Sequence, residues 1–177
     1  MKNLINTIIF MLIIVPIAKA DYIKDVENFG YISGTGLACN AQYYPAYETI
    51  VRAYLISAAH SDEEQGKGMR AFNSAKVEAF ISMQQDDLWG CNELNERFNK
   101  QKIFKTKLYK NGTLKMPDGQ VIKPRREYDA TLVYDRNSNE REELTELYEQ
   151  NIAEQKLEAQ RQGIYDKIRR AEMTGRY

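Results

Sequence analysis

Reactive and metal-binding side chains are scarce in this chain, whose 177 residues include one histidine, two cysteines and one tryptophan. Two cysteines and one histidine cannot build a tetrahedral zinc centre without carboxylate help. No C-x-x-C spacing is present to poise a thiol for redox work. His60 has Ser61 and Asp62 beside it, but a catalytic triad needs groups brought together across a fold, not neighbours on one loop. It reads as a cation near a helix C-terminus, worth roughly a few tenths of a kcal/mol. Net charge is lacking too: 25 basic residues cancel 25 acidic ones. The chain as a whole therefore exerts no bulk attraction on nucleic acid or anionic lipid. Beyond residue 20, no apolar run approaches the roughly 20 residues of a membrane span, and no internal repeat is visible.

What is present begins at the first residues. Lys2 forms a short positive region, Leu4 to Ile17 an apolar one, and Ala18-Lys19-Ala20 supplies small residues at the two positions a signal peptidase reads. The expectation is a signal peptide over residues 1–20, cleaved after Ala20, and a periplasmic or secreted product. The mature chain would then hold 177 − 20 = 157 residues and, without Lys2 and Lys19, carry 23 − 25 = −2 charges. That is long enough for one domain with a real core plus an extension.

Export sets the reading of the cysteines. A lone pair in an oxidising compartment is expected to be bonded. Cys39 and Cys91 enclose 91 − 39 = 52 positions, a closure worth on the order of 4 kcal/mol in the chain-entropy model. From Pro45, residues Tyr47, Ile50, Val51, Tyr54, Leu55 and Ala58 recur at helical spacing. Ser61 and Glu64 fit a capping box ahead of a second helix, whose apolar side is Met69, Phe72, Ala75, Ala79, Phe80 and Met83. Antiparallel packing of those two helices would bring the cysteines together. The cysteine spacing, and nothing else in the chain, is similar to that of small acid-stress chaperones of the bacterial periplasm. A third, short helix capped by Asn92 carries Leu94 and Phe98.

Around this hairpin the pattern changes twice. Residues 21–38 hold Gly30, Ser33, Gly34 and Gly36 with little periodicity, and read as a loose N-terminal arm. From Phe104 to Tyr134, short β-favouring runs are separated by Asn111-Gly112 and Pro117-Asp118-Gly119. They predict an antiparallel meander with a type I′ turn at Asn-Gly. The fold class expected is α+β, mainly α. The expected divisions are residues 39–136 for the disulfide-bonded hairpin and meander, and 137–177 for a polar helical extension.

Candidates for chemistry are few. Of the acidic pairs Glu63-Glu64, Asp86-Asp87 and Glu142-Glu143, only Asp87 has aromatic company, in Trp89, as a glycosidase acid would need; solvated helix faces explain all three pairs more cheaply. Asp62-Glu63-Glu64 lacks the alternating ligands and central glycine of a calcium loop. Lys100 to Lys110 holds five lysines with Phe104 and Tyr109 interleaved. That can bind a single-stranded nucleic acid, or guard an edge strand; export and the neutral total favour the edge strand. No cofactor, metal or nucleic-acid partner is expected, and no membrane contact once the signal is removed.

The extension offers the best binding surface. Leu144, Leu147, Tyr148, Ile152, Leu157, Ile164 and Ile168 make a thin apolar stripe. Glu140 to Glu154 contains six glutamates against one arginine, whereas Lys156 onward is mainly basic. The sequence thus points to an exported, non-catalytic interaction protein of the bacterial envelope, an accessory part of a secretion, conjugation or phage-encoded system. Its extension would bind a protein partner or a second copy. A cell-wall glycan hydrolase acting through Asp87, and a periplasmic chaperone or inhibitor, are the alternatives.

Overall fold

A computed structural model describes residues 22–134 and 137–173. The expected leader and its cleavage site lie outside these residues. Six helices are present among them: α1 (Tyr22–Ala38), α2 (Tyr44–Ala58), α3 (Asp62–Gln85), α4 (Cys91–Asn99), the single turn α5 (Thr131–Tyr134) and the long α6 (Glu140–Met173). A 3-10 turn (Lys102–Lys105) leads from α4 into three short strands, β1 (Lys107–Leu108), β2 (Leu114–Lys115) and β3 (Val121–Ile122). The fold is mainly helical with a small antiparallel sheet, as the sequence implies.

The segment read as a loose arm is a helix, and the best-packed one. Gly30 and Gly34 are one turn apart on α1, and their missing side chains let α3 approach its backbone. A Cβ on Gly30 would overlap the Phe72 carbonyl oxygen; one on Gly34 would overlap that of Lys76. Ser33, on the neighbouring face, is fully buried. The residues that looked like helix breaks are therefore a packing surface. The contact order, Tyr22 against Gly68, Gly30 against Phe72 and Gly34 against Lys76 and Ala79, shows α1 and α3 running parallel. α2 runs antiparallel to both, with Ser33 facing Glu48, Asp25 bonding Tyr54, and Tyr22 donating to the Leu55 carbonyl.

α2 is the central element. One side buries Tyr47, Val51 and Leu55 with Val26, Phe72 and Phe98. The other buries Ala53 and Ile56 under Leu114 and Val133. Each such large apolar side chain is worth about 1.5–3 kcal/mol on full burial. The Ser61 cap is present, its hydroxyl accepting from the Glu64 N–H at 3.1 Å. The carboxylate of Glu64 returns to the N–H of His60, one residue earlier than a standard capping box. α3 therefore starts at Asp62, and Gly66 and Gly68 lie inside it rather than weakening its start.

The sheet has order β1-β2-β3 with both pairings antiparallel. Its two turns share one design, and neither is the expected two-residue type I′. The Gly112 N–H bonds the Tyr109 carbonyl and the Gly119 N–H that of Met116, both at 2.9–3.0 Å. Gly112 and Gly119 have φ of 80° and 91°. Each loop is a three-residue turn closed by a left-handed glycine. Asn111 and Asp118 brace them by accepting from the N–H two residues on. Residues 128–134, expected as a fourth strand, instead end in α5, where Asp129 accepts from Thr131 and Val133 plugs the second cluster. The short helix expected behind an Asn92 cap is α4, which starts at Cys91 with Gly90 at the cap position.

Candidate partner-binding helix and its anchor

Cys39 follows α1 and Cys91 opens α4, and they are bonded, with Cα atoms 5.2 Å apart. The bridge thus ties the C-terminal ends of the parallel pair α1 and α3. Between α3 and Cys91 the chain makes a tight turn in which Asp87, Leu88 and Gly90 have φ of 51°, 57° and 78°. Leu88 turns inward beside Phe80, Met83 and Leu144. Trp89 is 84% exposed. Asp87 is exposed on the same turn, so neither burial nor an enclosing aromatic wall makes it the proton donor a glycosidase uses.

Next to this end lies a buried ionic cluster that joins four helices. Lys76 of α3 and Glu48 of α2 are each 1% exposed. The Lys76 ammonium sits 3.0 Å from Glu48 Oε1 and 2.7 Å from Glu140 Oε1 of α6. Ser33 of α1 donates to Glu48, Arg52 Nε donates to Glu48 Oε2 at 3.1 Å, and the Tyr44 hydroxyl donates to Glu140 at 3.1 Å. Lys76 also lies over the Tyr44 ring, 5.5 Å from its centre. Burial opposes ionisation of Glu48, but the Lys76 charge and the hydrogen bonds from Ser33, Lys76 and Arg52 outweigh it and hold its carboxyl below the usual range. Burial, with the charges of Glu48 and Glu140 behind it, pushes the Tyr44 hydroxyl far up. Sequence reasoning passed over Lys76 and Glu48. The signal was there: Lys76 falls between Phe72 and Phe80 at i+4 spacing, in the middle of an apolar face, where a solvated lysine has no place.

This cluster is the root of α6. Glu140 enters it, Arg141 donates to the Ala38 carbonyl, and Leu144 packs beside Leu37 and Phe80. The first turns of α6 therefore pack against the rest of the fold. Asn137 contributes by donating to Glu143 and by accepting from the Asn139 N–H.

Nor is the apolar stripe of α6 continuous. At ~100° per residue, Leu144, Tyr148 and Ile152 fall on one side, and these three are half-buried, Leu144 against Leu37 and Phe80. Leu157, Ile164 and Ile168 fall on roughly the opposite side. They are about half exposed, as is Leu147, and Tyr165 is 70% exposed. Every described side chain from Ala153 to Met173 is exposed. That portion is a helix of about 30 Å standing clear of the domain, with its own apolar face.

The other sequence candidates separate. His60 lies at the start of α3 with its ring nitrogen 2.7 Å from Arg125 Nη1, and Arg126 pairs with Asp62. These contacts fasten the chain after the sheet to the N-terminus of α3. Among the described residues no group of three or more His, Cys, Asp or Glu side chains is placed to hold a metal ion, and no helix is long and apolar enough to cross a membrane. No family model, no curated protein and no solved structure matches this chain. Its own residues carry the functional argument.

Proposed function

We propose that this is an exported, non-catalytic interaction protein of the bacterial envelope, an accessory component of a larger machinery, which docks a helix of a partner protein along the outer half of α6. The observation behind this reading is the helix itself. Leu157, Ile164 and Ile168, with Tyr165 beside them, form an apolar face that no described part of the chain covers. A helix that touches nothing gains little from the domain, and isolated helices of this length are only marginal in water. Its face is the i, i+7, i+11 pattern by which one helix grips another. The intrachain bridge supports the compartment, since such bonds persist where thiols are not kept reduced. The buried Lys76–Glu140 contact and the packing of Leu144 fix the direction in which the helix leaves the domain.

The test uses two shortened chains. One stopped after Ile152 keeps the root of α6 and should fold with an unchanged cooperative melt. One stopped after Tyr134 loses Glu140, leaves Lys76 with one carboxylate fewer, and should lose about 2–4 kcal/mol. Photocrosslinking from position 161 in the native envelope should trap one partner through the full chain, and the trapped band should vanish with Ile164→Asp/Ile168→Asp. Crosslinks only to a second copy would replace the partner by self-association. Absence of any crosslink, or a band indifferent to those substitutions, would remove α6 as the docking element.

A further inference from the structure

The near-zero total charge conceals a strongly one-sided surface. Between residues 101 and 126 the chain carries Lys102, Lys105, Lys107, Lys110, Lys115 and Lys123, with Arg125 and Arg126 after them, against the single acid Asp118; Glu127 and Asp129 follow. The sheet sorts these residues by face. Leu108, Leu114 and Ile122 turn inward onto α2. Lys107 and Lys115 stand directly opposite each other, with Val121 across from Lys115. The alternation brings Tyr109 and Lys123 out on the same side, both exposed, and Lys105, in the preceding 3-10 turn, is exposed as well. None of the six lysines forms an ion pair among the described residues, while Arg126 is taken by Asp62.

Edge protection does not account for this. A lysine guards an edge strand by making it unattractive to other chains, which covers Lys107 on β1 and the residues flanking β3. Lys115 is on β2, the middle strand. Like charges directly across an antiparallel pair oppose each other, and nothing in the fold needs Lys107 and Lys115 to be cations. We propose that this face of the sheet binds an anionic phospholipid surface. The cations spread in two dimensions over a small sheet rather than along a groove, which suits a plane of headgroups better than a strand of nucleic acid. Only one aromatic ring, Tyr109, is available on it, too few for a stacking platform. Tyr109 and Val121, each about half exposed, sit among the lysines as interfacial residues do.

The experiment is flotation of the chain from Asp21 onward, the form the leader is expected to leave, with vesicles of phosphatidylglycerol and phosphatidylcholine. The protein should bind mixed vesicles, ignore pure phosphatidylcholine, and release as salt rises from ~0.1 M to ~1 M. Lys107→Gln/Lys115→Gln/Lys123→Gln should weaken binding at least about tenfold. Its melting should not fall, because the substitutions relieve repulsion. Arg161→Gln/Lys167→Gln, on α6, removes nearly the same charge elsewhere and should leave binding intact. Equal binding to both vesicle types, no binding at low salt, or an unaffected triple variant would each overturn the proposal. So would single-stranded RNA or polyglutamate displacing the vesicles at matched charge, which would mark the face as a general polyanion site.

Discussion

α1 and α6 invert the usual relation between sequence and burial. α1 has three glycines among its last nine positions, with Ile32, Ser33 and Thr35 between them, a poor helix by propensity. It nevertheless approaches α3 closely, because Gly30 and Gly34 meet α3 carbonyls. α6 is rich in glutamate, glutamine, leucine and arginine, all good helix formers, and buries little past Ile152. Tertiary contact makes the first helix. Local preference supports much of the second, and the domain adds only its root. Propensity therefore says little here about which helix holds the fold together.

The largest expected effect tests that contrast at its sharpest point. Gly34→Val places a branched side chain where even a Cβ would overlap the Lys76 carbonyl and crowd Ala79. The Cβ itself meets the Lys76 backbone, so no rotamer offers an escape. Overpacking usually costs about 1–3 kcal/mol, and this site should lie at or above the top of that range. Chemical denaturation should show a markedly lower midpoint or no folded protein. A midpoint within experimental error of wild type would mean α1 and α3 are not packed as described.

The same contrast explains what was legible in the sequence. Amphipathic periodicity disclosed α2 and most of α3, because Tyr47, Val51 and Leu55 bury one clean face. The cysteine pair was readable from the export that residues 1–20 suggest, and the turns from Asn111-Gly112 and Asp118-Gly119. α1 was not readable, since Gly30 and Gly34 mean a break or a close crossing depending on a partner that lies over forty positions away. Lys76 could be suspected from its place between Phe72 and Phe80, but Glu48 was hidden for a related reason. It looks solvated alone, and only its meeting with Lys76, Ser33 and Arg52 makes its burial tolerable. The apolar stripe of α6 was visible, but its division into a domain-facing and a free side depends on where α6 leaves the domain.

An intermediate effect belongs to the cluster that joins the two regions. Glu48→Gln keeps the shape but leaves Lys76 with Glu140 as its only carboxylate partner. Removing one member of a buried pair costs roughly 3–5 kcal/mol; the remaining contact should hold the loss near about 3 kcal/mol at neutral pH. The pH dependence has a definite sign. The Glu48 carboxyl lies lower in the folded protein than its ordinary value of 4.5. Its contribution is therefore fully present above that ordinary value and lost as pH falls through the folded one. Between neutrality and strongly acid solution, wild type should lose more stability than Glu48→Gln, measured by urea midpoints. Parallel acid profiles would show that Glu48 is not ionised in the fold.

The smallest effect is the most discriminating about α6. Gly163 lies in the helix interior with nothing within 4 Å of where a Cβ would be placed. Gly163→Ala should therefore favour the local helix by roughly 0.5–1 kcal/mol, the ordinary alanine advantage. The same kind of change that is excluded at Gly34 is favourable here. Because every described side chain beyond Ile152 is exposed, that gain should stay local. Amide exchange over residues 153–173 should slow, while the denaturation midpoint of the domain stays where it was. A midpoint that rises with the exchange protection would show the outer half of α6 melting together with the core. The contrast with α1 would then fail, and with it the picture of a helix held out for a partner.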